Sequence, residues 1–459
     1  MVNVNTLDTD GRRLRKSTPR SSHGAWRPSP DRPNPLEVLH AQEQGRVAEL
    51  IPLRNERMGE SPFAFFRGAA AVMAADLVDT PHTGLNVQLC GDAHIGNFGV
   101  FASLERRLIF DINDFDETLP GPWEWDLKRL VASVEIAARN RGFPKEQRLT
   151  AVLGAARTYR EAMGSFAAMT PLEVWYQLFD VASMLPEIRR SLSSQQFRDV
   201  QHEINRALSK TSTKAARKLT HLVHGQPRII SDPPLVVPLT ELVPGVEAEL
   251  LAEGIGEVIA SYRLTLPRDR QFLLRHYQFK DVARKVVGVG SVGTRSWIVL
   301  LVGREHGDPL VLQLKQATPA VLEAFLGPST YQNHGERVIE GQRLIQASGD
   351  VLLGWLRTKG LDGVDRDFYV RQLWDWKSST DLGRVSGPGL AAHSRLCAWT
   401  LARAHARTGN PQAIASYLGT GGVFDRDLAA FAAAYADQNE ADFAAFTGTR
   451  SSATSSSPV

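Results

Sequence analysis

The chain has 459 residues, enough for two or three domains or for one large two-lobed body. Apolar residues make up 43% and charged residues 22%, the proportions of an ordinary globular protein. The 53 basic and 50 acidic side chains leave a net charge of +3, which gives no basis for a nucleic-acid or anionic-membrane partner. Cys90 and Cys397, both in apolar surroundings, exclude a disulfide scaffold and suit a reducing, cytoplasmic setting. No apolar run is long enough to span a bilayer, and "RRLRK" near the N-terminus lacks the apolar core of an export signal.

In chain order, residues 1–35 are rich in Arg, Ser, Pro and Asp and predict a disordered basic arm. "VAELIPLRNERM" and "FAFFRGAAAVMAADL" carry apolar residues at helical spacing. Two strands follow, "NVQLC" and "RRLIFDI", with the polar "GDAHIGNFG" between them. A helix, "EWDLKRLVASVEIAARN", runs up to the breakers Gly142 and Pro144. The stretch Gln147–His221 is helical and is expected to wall the substrate side. From Asp281 the pattern becomes strand, glycine-rich turn, strand, polar turn, strand. A helix ("GERVIEGQRLIQA"), a strand ("DFYVRQLWDW") and a final helical block close the chain, with 447–459 read as a second disordered tail. There is no internal repeat.

Two segments carry chemistry. "GVGSVG" sets Gly288, Gly290 and Gly293 in G-x-G-x-x-G spacing. A dinucleotide-binding turn needs a helix straight after it. Here the β-branched "SWIVLLVG" follows, so the glycines belong to a β-hairpin. That geometry suits a loop covering nucleotide phosphates, where backbone amides without side chains approach the oxygens closely. The next strand holds one cation, Lys315. It is either an edge-strand lysine or the group that pairs with the α/β-phosphates and with a helix glutamate. Glu336 and Glu340, one helical turn apart, are the candidates for that glutamate, with Glu340 preferred by position and Glu323 an outsider.

The second segment is "GDAHIGN", in which Asp92 precedes Asn97 by five residues. This spacing is similar to the one by which kinase-like phosphotransferases put a catalytic aspartate, which orients or deprotonates the acceptor hydroxyl, and a metal-holding amide on one loop. Mg²⁺ prefers oxygen ligands and retains waters, so few protein ligands suffice. "FDINDFDET" offers Asp111, Asp114 and Asp116 as the further metal aspartate. Arg67 in "FFRGAA" suits either a phosphate or a buried ion pair. Arg295 suits a phosphate or a solvated turn. Trp374 and Trp376 either border an adenine or pack in the core.

"CGDAHIGNFG…DINDFDETLPGPWEWDLKRL" resembles the "HGDLHPGN…IDF…DLA" signature of aminoglycoside and choline kinase-type phosphotransferases. The register of that signature against Asp126 assigns the metal to Asp114, with Asp111 and Asp116 in reserve. It makes Asp126 the residue that holds the loop from behind. Cys90 replaces the signature's first histidine, and His94 matches the second, a loop-ordering residue. The whole chain is also similar to a bacterial family known as domain of unknown function 2252 (DUF2252), through "FAFFRG", "GDAHIGNFG", "NDFDET", "VGVGSVGTR", "YQNHGERV", "GQRLIQ", "DFYVRQL" and "LARAHARTG".

These resemblances imply an α+β, two-lobed, protein-kinase-like fold with a large helical lobe. Its order is unusual. The catalytic loop comes near residue 92, whereas the glycine loop, Lys315, Glu340 and a "LARAHA" helix come later in the order such enzymes use. A circular permutation accounts for this. The expected division is a catalytic and helical unit over 36–275, a small β-rich nucleotide-binding unit over 276–378, and helices completing the large lobe over 379–446. The implied function is ATP- and Mg²⁺-dependent phosphoryl transfer to a hydroxyl of a small molecule or protein. AMP transfer on the same fold and a nucleotide-binding pseudoenzyme stay open. A metallophosphoesterase built on the D-x-H of "GDAH" lacks its further motifs, since "TGNPQ" has no histidine.

Overall fold

The computed structural model describes residues 11–454 apart from 192–193, 246–247, 287 and 304–306. The N-terminal part is helical: α1 (Pro35–Ala41), α2 (Ile51–Met58) and α3 (Pro62–Gly68). Each is opened by a local device. Pro lies in the first turn of all three, where its missing N–H costs nothing, and the Asn34 and Ser61 side chains cap α1 and α3. Four short strands follow: β1 (Asn86–Leu89), β2 (Phe98–Ala102), β3 (Leu108–Ile112) and β4 (Leu119–Pro122). β1 pairs with β4 and β2 with β3, both antiparallel. The two strands expected from sequence are therefore not paired with each other; β2 and β4 went unforeseen.

α4 (Trp123–Asn140) starts behind Pro122 with Glu124 and Asp126 in its first turn, where the helix dipole favours acidic groups, and it is buried along nearly its whole length. It packs with α5 (Lys145–Ala167). The chain then adds β5 (Val236–Pro238), α6 (Ala248–Leu264), β6 (Gln278–Lys285), β7 (Ser296–Val302), β8 (Pro309–Ala317), α7 (His334–Ile345), β9 (Gly354–Lys359) and β10 (Asp365–Gln372). These strands form one six-stranded antiparallel sheet in the order β9–β10–β8–β7–β6–β5. Side chains alternate along β8: Leu312 and Leu314 join the apolar cluster with Tyr262 of α6, while Gln313 and Lys315 face the other way.

The β-rich unit is larger than expected from sequence. It recruits β5 and α6, and Ala216, Leu219 and Ile229 pack on its second face, so it begins near residue 212 rather than 276. Of the other helices, α8 (Gly387–Thr408), α9 (Pro411–Leu418) and α10 (Val423–Thr454) share one core with α4 and α5. α7 joins that core through Val338, Ile339 and Ile345, tying the sheet to the helices.

The arm expected to be disordered over 1–35 is corrected for its described part. Arg15 donates to the Tyr417 and Ser416 carbonyls at 2.8 and 2.5 Å, and Arg20 to the Leu418 carbonyl at 2.7 Å. Arg32 bridges Asp76 and Asp442, each at 2.6 Å. Polar composition predicted disorder, but Arg15 and Arg20 spend their donors on the carbonyls at the end of α9 and Arg32 on two carboxylates. The expected tail over 447–459 is likewise helical to Thr454, and 455–459 lie outside the described residues. No helix among the described residues is long and apolar enough to cross a membrane.

Candidate active site

The loop Cys90–Asn97 joins β1 to β2. Asp126, in the first turn of α4, accepts the Cys90 and Gly91 amides at 2.6 and 2.9 Å, and its carboxylate lies 3.2 Å from His405 Nε2 of α8. It holds the loop from behind, as the register implied. Gly91 is required there: its φ is +84°, and a Cβ would run into the Glu117 carbonyl. His94 Nδ1 accepts the Gly96 amide at 3.1 Å. Burial pushes its imidazole down to about 3, so it is neutral and serves the loop's shape. The Asn97 amide donates to the Asp92 carbonyl at 2.8 Å.

Asp92 is held by Arg129, whose Nε and Nη2 lie 2.8 and 2.7 Å from Oδ1. Arg129 also lies over the Phe66 ring at 3.8 Å and donates to the Phe66 carbonyl at 2.9 Å. Nothing in the motif itself announced Arg129. Its position three residues after Asp126 would have found it, because that spacing puts both side chains on the face of α4 that meets the catalytic loop.

The second loop, Asn113–Glu117, follows β3. Phe98 pairs with Ile112 and the Asn113 amide donates to the Asn97 carbonyl at 2.8 Å, so the open end of the β2–β3 hairpin sets the two loops side by side. The three aspartates separate cleanly. Asp111 is 1% exposed and accepts two bonds from Arg403 of α8 at 2.7 and 2.9 Å and one from the Ala347 amide at 2.8 Å. Its role is structural, and it leaves the metal candidates. Asp114 and Asp116 face a cleft and keep 33% and 29% of their side-chain surface accessible.

Lys315 joins both carboxylates. It bonds Asp116 directly and stands 3.5 Å from Asp114, and the Tyr369 hydroxyl donates to Asp116 at 2.7 Å. The pair is electrostatically split. Burial alone would raise the Asp114 carboxyl, but Lys315, Arg371 and Lys377 hold it well below the usual range. Burial and neighbouring Asp114 push Asp116 upward against Lys315. Burial raises Glu117 to about 7, although its carboxylate accepts the Val321 amide at 2.6 Å.

The partner expected for Lys315 is therefore corrected. Glu340 pairs with Arg343 at 2.6 Å at the half-exposed edge of α7, and Asp116 and Asp114 take the lysine instead. Glu323 caps the Ala320 and Ser329 amides.

The glycine segment joins β6 to β7, an antiparallel hairpin as expected. Its loop is anchored by the N-terminal helices. Arg57 donates to the Gly288 carbonyl and Arg46 to the Val292 carbonyl, both at 2.6 Å, and the Val47 amide donates to the Gly293 carbonyl at 2.8 Å. Gly293 has φ +88°, and a Cβ there would press on Arg46 at 3.1 Å. Arg295 turns away to the Gly45 carbonyl and Asp362. Trp376 lies against Arg106 at 4.1 Å, and Trp374 packs on the cluster around Leu373.

Asp92, His94, Asn97, Asp114, Asp116, Glu117, Gly288 and Gly290 line one cleft of about 330 Å³. Its walls also include Gln42, Gln44 and Arg46, Arg67 with Gly68, and Gln316 with Val321. No described residue of Gln147–His221 lines it, so the wall expected from that block comes instead from the α1–α2 connection and the end of α3. Among the described residues no cluster of three or more His, Cys, Asp or Glu side chains is assembled for a metal. Asp114 and the Asn97 amide nonetheless suit Mg²⁺, which takes one or two protein oxygens beside phosphate and water. Both line the cleft, and their loops are joined by the Asn113–Asn97 bond.

Neither a curated protein nor a solved structure matches the chain significantly. A family model described as "Uncharacterized protein conserved in bacteria (DUF2252)" matches residues 46–449, which include every residue named in the two loops, the glycine hairpin and the Lys315 strand. The chain belongs to the DUF2252 family.

Proposed function

We propose that the chain is an ATP- and Mg²⁺-dependent phosphotransferase of a kinase-like, circularly permuted fold, acting on a hydroxyl acceptor. The observation that carries this is the convergence on one cleft of the Asp92–Asn97 loop, Asp114 with Lys315, and a glycine hairpin some two hundred residues away in sequence. Topology supports it. A hairpin, a lysine strand, a helix and two more strands, in the sheet order β9–β10–β8–β7–β6, are the elements that a small lobe of the kinase type would need. The permutation has its own support. α8 ends beside the start of β1, where Thr408 Oγ1 accepts the Gln88 amide at 3.1 Å. A chain leaving α8 would run directly into the catalytic loop.

On this reading the hairpin amides would contact the phosphates, and Lys315 would pair with them. Asn97 and Asp114 would hold Mg²⁺, which supplies charge neutralisation across the phosphate oxygens. Asp92 faces the acceptor hydroxyl. Its Arg129 partner fixes the position of the carboxylate that would accept that hydroxyl's hydrogen bond, which suits a loose phosphoryl-transfer transition state that asks mainly for positioning. The test is turnover of labelled ATP against a panel of hydroxyl compounds, with products read by mass. A gain of about 80 Da marks phosphoryl transfer and about 329 Da marks AMP transfer. Full turnover by an Asp92→Asn variant would remove Asp92 from its role.

A further inference from the structure

We propose that Arg67 is the oxyanion-binding residue of this cleft and that its ligand is the terminal phosphoryl group of the nucleotide, an assignment of ligand that rests on the phosphotransferase proposal above. The backbone that carries Arg67 is rigidly placed. Ser61 caps α3 through the Ala64 amide at 3.1 Å, Phe63, Phe65 and Phe66 are buried, and Asn439 donates to the Pro62 carbonyl at 3.1 Å. The Gly68 carbonyl accepts from Arg54 at 3.2 Å. The glycine loop rests on this same turn: a Cβ on Gly290 would meet the Arg67 carbonyl at 3.1 Å. Arg67 thus points from a fixed helix end into the space beneath the loop tip.

Its side chain has no protein partner. Among the described residues Arg67 makes no hydrogen bond and no ion pair, and its Nε is sealed from solvent without an acceptor. The other cations at the cleft are committed: Arg129 to Asp92, Lys315 to Asp116, Arg46 to the Val292 carbonyl. A guanidinium carries five donors in a planar fork. Leaving a sealed donor unmet is costly, so a cation kept in this state is a poor structural device and a ready receptor for an oxyanion. Asp92, Asp114 and Glu60 act on it electrostatically, and none of them bonds it. Gly96 lies alongside, where a Cβ would sit 3.7 Å from Nε. Arg67 therefore sits beside the Gly96 turn of the Asp92–Asn97 loop and beneath the glycine-loop tip, and it lines the same cleft as Asp92 and Asp114. On the phosphotransferase proposal, the group leaving the nucleotide would meet it there. The planar fork suits the equatorial oxygens of a phosphoryl group in transit.

The experiment uses the full chain with Arg67→Gln and Arg67→Lys. Calorimetry gives the affinities for Mg·ATP, Mg·ADP and pyrophosphate, and thermal melting checks the fold. Arg67→Gln is expected to weaken Mg·ATP by about tenfold or more while leaving Mg·ADP nearly unchanged, and to lower turnover on the order of a thousandfold. Its melting temperature should stay level or rise, because a half-buried cation whose sealed Nε has no acceptor is removed. Arg67→Lys should recover part of the affinity but not the fork's full effect. Equal effects on ATP and ADP, or a falling melting temperature with unchanged affinities, would overturn the proposal while leaving the function intact. If the wild type binds neither nucleotide, the phosphotransferase proposal fails and pyrophosphate decides the site. A wild-type melting shift that Arg67→Gln abolishes keeps Arg67 as an oxyanion site; no wild-type shift rejects that as well.

Discussion

Asp111 and Asp114 lie three residues apart in "FDINDFDET", and the structure predicts opposite consequences for losing them. The Asp111 and Arg403 side chains are each 1% exposed and meet at 2.7 Å. Arg403 Nη2 also serves the Ile345 carbonyl at 2.8 Å, and its Nη1 has no acceptor. Asp111→Ala strands that guanidinium in the core between β3 and α8, at a cost of about 3–5 kcal/mol. It also removes the acceptor of the Ala347 amide, worth about 1 kcal/mol. Asp114 keeps a third of its surface in the cleft, and its ion pair with Lys315 is long, at 3.5 Å. Asp114→Asn gives up the attraction of Lys315, Arg371 and Lys377 but relieves its repulsion of Asp116 and keeps its contact with solvent, so its cost should be well below that of Asp111→Ala. Urea unfolding at neutral pH, followed by circular dichroism, measures both. Asp111→Ala should move the midpoint far down, whereas Asp114→Asn should move it much less and lose turnover. An Asp111→Ala variant that loses less than about 1 kcal/mol, or an Asp114→Asn variant that loses as much as Asp111→Ala, would refute the division of roles.

Other outcomes follow from the same geometry. Because burial raises Glu117 to about 7 in the fold, above its unfolded value, its favourable contribution is complete at low pH and is lost as pH rises from about 4.5 through 7. Glu117→Gln should therefore melt above the wild type at pH 8, with the gap closing toward pH 5; a constant gap would reject the buried, raised carboxyl. Glu340→Gln removes only the half-exposed Arg343 pair and should change stability by no more than about 0.5 kcal/mol without touching turnover, whereas Asp116→Asn frees Lys315 and should lower turnover. A Glu340 variant with the larger kinetic defect would restore the helix glutamate to Lys315. Gly293→Val forces a β-branched residue to φ +88° against Arg46 and should cost about 1–3 kcal/mol, read as a lowered melting temperature.

Much of the candidate site was legible because its motifs are local. The Asp92–Asn97 spacing, the hairpin context of the three glycines and the isolated Lys315 each lie within one short window; Asp92, Asn97, Gly288 and Gly290 line one cleft, Lys315 is bonded to its Asp116, and Gly293 stands outside the lining. The helices with strong periodicity and clear breakers, such as α4, were also visible. The partner of Lys315 was not. Glu340 and Asp116 are both acidic, and only the packing of α7 against the core decides which of them turns inward; Val338 and Ile339 take the inner face and leave Glu340 outside. The N-terminal arm was misread for a related reason. Composition scores Arg and Pro as solvated, but Arg15, Arg20 and Arg32 find acceptors contributed by residues hundreds of positions later. β2 and β4 are short and carry Gly and Pro, so their pairing is set by the loops they hold rather than by strand propensity.

The central claim is that this cleft binds a magnesium nucleotide through Lys315 and Asp114. Titration calorimetry of Mg·ATP into the wild type, Lys315→Met and Asp114→Asn tests it most directly. The account predicts saturable binding by the wild type, a loss of about tenfold or more in affinity for Lys315→Met, and a loss of Mg²⁺ dependence for Asp114→Asn. No heat of binding at millimolar nucleotide, or affinities that both substitutions leave unchanged, would contradict it.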